Sequence, residues 1–291
     1  MTISKAAPEK TTLVGGLYFV ATPIGAARDI TLRALDILAS ADVLAAEDTR
    51  TLRHLMEIHG IALQGRPLVA YHDHNGDIAR PRLIAALKAG KSVAYASEAG
   101  TPLLADPGFQ LGRAALAEGL TVLAAPGPSA LLCALSVSGL PTDRFLFAGF
   151  LPNTSSARKR ALRELADIPG SLVFYESPRR IAASLRDMAE TLGADRQAAV
   201  CRELTKRFEE VTRGKLADLG EIFTKRAVKG EIVVVVDRGT AAVVGPETVE
   251  AALKSALKTL SVKDAAAQVA LQLGLARRDV YQLALGIGAK E

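Results

Sequence analysis

Tryptophan is missing from this 291-residue chain, and five Tyr and eight Phe are its only aromatic residues. Its cores must therefore be built from Leu, Val, Ile and Ala, and a hydrophobic content of 49% supplies them. Cysteine occurs twice, at Cys133 and Cys201, far apart and inside apolar stretches. That excludes a disulfide framework and a cysteine metal motif, and it predicts two small buried hydrophobes in a reducing cytoplasm. No apolar run reaches the ~18 residues of a membrane span, so no membrane partner is expected. Residues 1–16 lack the apolar centre of a signal peptide and read as a flexible polar tail. Phosphate loops of the GxxxxGK[ST] kind, GxGxxG and GxSxG are all absent. Triphosphate hydrolysis, classical dinucleotide binding and serine acyl chemistry lose their sequence support.

What is present is an alternation. Apolar stretches at 17–21, 43–46, 69–71, 92–96 and 121–125 predict strands. Between them lie amphipathic stretches: Leu32, Leu35 and Leu38 on one face, then 51–59 closed by Gly60, 78–89 closed by Gly90, and 109–116 before Gly119. This rhythm predicts a parallel or mostly parallel sheet covered on both faces. Asp106 and Pro107 predict the cap and first position of a helix. The turn-rich segment 138–143 marks a boundary between a first α/β domain at 17–139 and a second at 140–240. In the second, 171–175 and 197–202 predict strands, and 231–237, with four consecutive valines, predicts a central buried strand. Ser177 and Pro178 predict the start of a helix with Ile181, Leu185, Met188 and Leu192 on one face. Residues 241–291 read as a helical tail. Ser261 and Asp264 resemble a capping box, and helices at 262–273 and 277–285 flank a turn at Gly274. The pair is either helix-turn-helix-like or a two-helix tail packed on the body.

The chemistry concentrates after the strands. Residues 97–108 form a strand-to-helix loop longer than usual, rich in small residues and proline, with the carboxylates Glu98 and Asp106. Thr22-Pro23-Ile24-Gly25 and Pro126-Gly127-Pro128-Ser129 follow two other strands. In a parallel sheet the three loops share the carboxyl rim, where ligands bind. Glu47-Asp48-Thr49-Arg50 and Tyr71-His72-Asp73-His74 reach the same rim. Two histidines and an aspartate so close raise a metal reading, but no further ligand set is visible, so no metal is expected. General base, substrate hydrogen bonding and capping remain open for them. In the second half, Tyr175-Glu176-Ser177-Pro178-Arg179-Arg180 and Arg202-Glu203-Leu204-Thr205-Lys206 also end strands.

The net charge of +5 is uneven: residues 1–149 carry 13 basic and 13 acidic side chains, whereas residues 150–240 carry 17 and 13. Arg158-Lys159-Arg160 and Arg179-Arg180 contribute to the excess. A basic surface predicts a polyanionic partner, nucleic acid first.

These motifs, with Gly149-Phe150-Leu151-Pro152, Phe174-Tyr175-Glu176-Ser177-Pro178 and Lys229-Gly230-Glu231, resemble the tetrapyrrole-methylase-like superfamily of S-adenosylmethionine methyltransferases in family order over residues 17–237. More closely, they resemble its ribosomal RNA branch. The resemblance implies two α/β domains of tetrapyrrole-methylase type with a cofactor cleft between them, a short helical C-terminal tail, and a homodimer. It implies 2′-O-methylation of a cytidine in the decoding region of 16S rRNA in the small ribosomal subunit, with S-adenosyl-L-methionine as cofactor. Methylation of a small, tetrapyrrole-like molecule and a non-catalytic RNA-binding assembly role are the alternatives. The cofactor would lie against Pro23, Ile24, Gly25, Glu98, Ala99, Gly100, Thr101, Pro102, Asp106, Ser129, Ala130, Tyr175 and Leu204. Candidates for the proton transfer are Glu47, Asp48, His72, Asp73, Glu176, Glu203 and Lys206, unranked. Arg50, Arg158, Lys159, Arg160, Arg179 and Arg180 are the candidate RNA contacts. Glu98 stands where the family usually has Asp, Ala26 where it has Asn, and Arg179 where it has His.

Overall fold

The computed structural model describes residues 8–72, 74–239, 246–273 and 277–288. The first sheet contains β1 (Gly16–Val20), β2 (Val43–Ala46), β3 (Leu68–Ala70), β4 (Ser92–Ala96) and β5 (Val122–Ala125) in the order β3-β2-β4-β1-β5, all parallel. Helices α1 (Leu32–Ser40) and α2 (Thr49–Ile58) cover one face, packing Leu35, Leu38, Leu52 and Met56 on Val20 and Leu44. Helices α3 (Gly76–Lys88) and α4 (Phe109–Ala117) cover the other, with Leu83, Leu87 and Leu111 against Leu17, Phe19 and Tyr95. Burial on both faces explains why β1, β2 and β4 read as unbroken apolar runs.

Local details depart from expectation. Leu32 is half exposed, and Ala34 and Ile37 take its place on the buried face of α1. Helix α4 starts at Phe109 rather than Pro107. The Asp106 carboxylate instead accepts the Gly108 N–H (2.8 Å) and the Tyr95 hydroxyl (2.9 Å), which holds a turn ahead of the helix. The described part of the expected flexible tail is tethered: the Glu9 N–H donates to Asp36 (2.7 Å) and the Thr11 N–H to Ser40 (2.9 Å).

The second sheet is mixed. It contains β6 (Phe145–Phe150), β7 (Ser171–Glu176), β8 (Gln197–Arg202), β9 (Glu210–Lys215) and β10 (Ile232–Val236) in the order β6-β7-β10-β8-β9. Strand β6 is parallel to β7, whereas β10 is antiparallel to both β7 and β8. The valine-rich β10 is central and wholly buried, as its composition predicts. Strands β7 and β8 therefore end at one rim, and β10 begins there. Helices α6 (Ser155–Leu165), α7 (Ile181–Leu192) and α8 (Leu216–Lys225) cover one face. Helix α7 starts at Ile181, after a turn in which the Ser177 carbonyl accepts from the N–H groups of Arg180 and Ile181 (3.0 Å each).

Helix α5 (Ala130–Ser138) covers the other face, with Leu131, Ala134 and Leu135 against Val173, Ala199 and Val233. It precedes the 139/140 boundary in sequence, yet it packs on the second sheet. The passage between the halves is thus the Pro126-Gly127-Pro128-Ser129 loop after β5. The tail helices α9 (Pro246–Ala256), α10 (Val262–Leu273) and α11 (Arg277–Gly288) share a core of their own around Leu253, Val269 and Val280. Ser261 accepts the Asp264 N–H (3.2 Å) and donates to its carboxylate (2.6 Å), in keeping with the expected capping box at the start of α10. The turn at Gly274 lies outside the described residues.

Candidate active site

The loops after β1 and β4 are clamped together. Thr22 and Gly100 exchange two backbone hydrogen bonds of 3.0 Å, and the Thr22 hydroxyl donates to the Ser97 carbonyl (3.1 Å). Gly100 has φ +79, and a Cβ there would stand 3.2 Å from Ile24 Cγ2. Both the left-handed backbone and the close approach favour glycine. On the other side, Gly25 abuts the turn after β8: a Cβ on it would lie 2.5 Å from Lys206 Cγ and 2.6 Å from Thr205 Oγ1. The Ala26 N–H donates to Thr205 Oγ1 (3.1 Å). This contact joins the two halves beside a cleft of about 580 Å³, within the usual range of ligand pockets.

The first half supplies Ile24, Glu47 and residues 98–101 to the walls, together with Asp106. Helix α5 adds Ala130, and the second half adds Tyr175, Glu176 and Leu204. Those expected residues do converge. Pro23 and Pro102 belong to the same two loops without lining the cavity. Ser129 is 4% exposed, lies with its Cα 4.0 Å from the position of a Gly100 Cβ, and has a buried Oγ with no hydrogen-bond partner among the described residues.

The proton-transfer candidates separate sharply. Glu47 lines the cleft and is partly exposed. Asp48 does not line it: its carboxylate caps α2 through the Arg50 N–H (2.8 Å) and pairs with the Arg50 guanidinium (2.8 Å), which lowers its pKa to about 2. His72 lies outside the cleft, with Nδ1 buried and unpartnered among the described residues, and Asp73 is not among them. Glu176 borders the cleft, but its side chain is 0% exposed, accepts from Ser184 Oγ and the Ser177 N–H, and pairs with Arg180 (3.1 Å). Lys206 bridges Glu203 and Glu231 at 2.8 Å each. Its hydrogen bond lowers the pKa of Glu203. Burial pulls the Lys206 pKa down, but the two carboxylates outweigh it, so Lys206 stays charged. Glu203 and Lys206 form a brace rather than a base. No group of three or more side chains suited to a metal ion occurs among the described residues.

The basic candidates also divide. Arg158 is 3% exposed and bonds the Asp187 carboxylate (2.6 and 2.7 Å) and the carbonyls of Pro152 and Asn153. Lys159 pairs with Glu190 (2.6 Å). Arg180 bonds Asn153 Oδ1 (2.5 Å) and the Leu151 carbonyl (2.6 Å). Arg158 is a structural cation, since its burial demands a partner for the charge, and the partly exposed Arg180 is held by its bonds to Asn153, Leu151 and Glu176. Arg50, Arg160 and Arg179 are exposed.

Sequence reasoning missed Phe150, Cys201 and the amino end of β10, where Gly230, Glu231, Ile232 and Val233 line the cleft. The Lys229-Gly230-Glu231 motif was the available signal, but the antiparallel direction of β10 is invisible locally. Burial pushes the Cys201 thiol up to about 11, so it serves as an apolar wall. Tyr95, fully buried beneath the cleft, has its phenol pKa raised by burial and by Asp106.

Two α/β halves around a cleft lined by small residues define the class: S-adenosylmethionine-dependent methyltransferases of the tetrapyrrole methylase fold. The family model described as Tetrapyrrole (Corrin/Porphyrin) Methylases matches residues 16–220, and the RsmI C-terminal HTH domain matches residues 243–288. Among solved structures, the methyltransferase CobJ is similar at TM-score 0.58, with 19% identity over 77% of this chain and 94% of that one. A uroporphyrin-III C-methyl transferase from Thermus thermophilus, complexed with S-adenyl homocysteine, is similar at TM-score 0.55, with 20% identity over 77% and 97%. The chain belongs to the ribosomal RNA small subunit methyltransferase I family. The relative of that name from Mesorhizobium japonicum is 48% identical over 91% of this chain and 90% of its own length. The one from Xylella fastidiosa is 45% identical over 92% and 98%.

The cleft fits the cofactor. Its floor at Ala99, Gly100 and Ala130 leaves room for a bulky group, and Ser129 Oγ has unused hydrogen-bonding capacity. Three carboxylates, Glu47, Glu98 and Asp106, line the side belonging to the first half and suit a cationic sulfonium.

Proposed function

We propose that this methyltransferase modifies the ribose 2′-hydroxyl of a cytidine in the decoding region of 16S rRNA, within the small ribosomal subunit. It works in the cytoplasm as a homodimer. Similarity across nine-tenths of both chains to a relative named for ribosomal RNA carries the reading. Bound S-adenosylmethionine supplies an electrophilic methyl group. The task of the chain is then to place the ribose oxygen about 3 Å away in line and to take its proton. Pro23, Ile24, Gly25, residues 98–102 with Asp106, Ser129, Ala130, Tyr175 and Leu204 hold the cofactor. Glu47 takes the proton, as a partly exposed carboxylate on the cleft wall. Arg160 and Arg179, with Arg50, provide exposed charge for phosphates, and the tail extends the footprint.

Tritiated methyl transfer to small subunits lacking the modification, followed by nucleotide mapping, tests this. Label on a cytidine ribose is expected, and Glu47→Gln should lower kcat by about 100-fold or more while cofactor affinity is kept. Unlabelled RNA, or label on a base, overturns the reading.

A further inference from the structure

Phe150 is one of few aromatic side chains in the molecule and is 56% exposed on the cleft wall. Its position is the product of a β-bulge. Along β6, Phe147 pairs with Val173 but Gly149 pairs with Phe174, so Ala148 is an extra residue, and Gly149 adopts φ +63. In a regular strand, residues three apart face opposite sides. Here the extra residue brings Phe147 and Phe150 to the same side, both edge-on to Tyr175, with ring centroids at 4.7 and 5.7 Å. Bulges beside active sites commonly re-aim a side chain in this way. Phe147 and Tyr175 are packed into the core that α5 covers, while Phe150 stays open to the cleft. Strand β6 is at the edge of the sheet, and Arg180 ties the 177–180 turn, with exposed Arg179, to Leu151. An open ring braced from behind, with a cation in the adjoining turn, is suited to an unstacked nucleotide: base on the ring, phosphate on the guanidinium.

We infer that Phe150 is the stacking platform for the base of the nucleotide to be methylated, and so positions the ribose in the cleft. This rests on the RNA reading above. The test compares Phe150→Leu, Phe150→Ala and Phe150→Tyr with wild type. Initial rates on unmodified small subunits give KM and kcat, and calorimetry gives the affinity for S-adenosylmethionine. Leucine and alanine should raise the KM for RNA about 10- to 100-fold, tyrosine should restore it, and cofactor affinity should hold in all three. Leucine keeps the apolar bulk, so a purely structural Phe150 would show no loss in that variant. Unchanged KM in Phe150→Leu, with wild-type enzyme labelling the RNA, overturns the inference alone. Weakened cofactor binding with normal RNA KM also overturns it, and assigns the ring to the adenine of the cofactor instead. If wild-type enzyme leaves the RNA unlabelled, the RNA reading fails and the inference falls with it.

Discussion

The two halves of the molecule meet at one cleft but build their rims differently. The first sheet is wholly parallel, and it presents backbone and small side chains: the Thr22–Gly100 clamp, Ala99, and the proline-rich passage into α5. The second sheet is mixed, and its rim combines the ends of β6, β7 and β8 with the starts of β9 and β10. It presents the aromatic rings of Tyr175 and Phe150 and the Glu203–Lys206–Glu231 brace, whereas the charge on the first rim is the three carboxylates Glu47, Glu98 and Asp106. A parallel rim lets backbone approach a ligand closely. A rim of mixed strand directions gathers side chains from more distant parts of the sequence. The first arrangement suits a cofactor of fixed shape, and the second a substrate recognised by aromatic and ionic contacts.

The largest expected effect separates charges that look alike in sequence. Arg158→Ala leaves Asp187 buried without its guanidinium and should cost about 3–5 kcal/mol of unfolding free energy in urea titrations. Arg160→Ala, two residues away and exposed, should change it by about 0.5 kcal/mol or less. Equal losses would mean that burial is not what divides this basic run. Next, Gly100→Val should weaken S-adenosylmethionine at least about tenfold by calorimetry, because φ +79 and Ile24 Cγ2 both oppose a branched side chain. If affinity survives, the parallel rim is not the cofactor side. A milder change is expected from Arg160→Ala with Arg179→Ala. Each lost phosphate contact should flatten the salt dependence of RNA binding by about 0.7 in log–log slope, with cofactor affinity intact. An unaltered slope would move the RNA surface away from the second half.

The smallest effect concerns Asp48. Its hydrogen bonds with Arg50 hold the folded-state pKa at about 2, below the ordinary 3.8. The charge therefore favours the fold above about pH 4 and loses that contribution as pH falls toward 2. Asp48→Asn, which can still cap α2, should lower Tm slightly at neutral pH and not at about pH 2. An unchanged Tm at neutral pH would assign the effect of Asp48 to capping alone.

Much of the fold was legible because it is written at short range. The apolar stretches of β1, β2 and β4, the valines of β10 and the small-residue loops follow from periodicity and from proline and glycine placement. The cofactor loops were legible for the same reason, since a strand end and its loop are contiguous. Helix starts were less so. Asp106 and Ser177 have capping chemistry, but each closes a turn ahead of its helix, at a choice set by Tyr95 in one case and by the turn over 177–180 in the other.

The sequence by itself thus determined the strands of the first sheet, its parallel character and the chemistry of its rim, because strand period and turn residues act over a few positions. Tertiary structure decided the rest. It placed α5 on the second sheet, turned β10 so that its amino end joins the cleft, aimed Phe150 through a bulge, and buried Arg158 against Asp187 while leaving Arg160 in solvent. Each of these depends on partners far away along the chain, and packing alone chooses which of several equivalent side chains meets its partner.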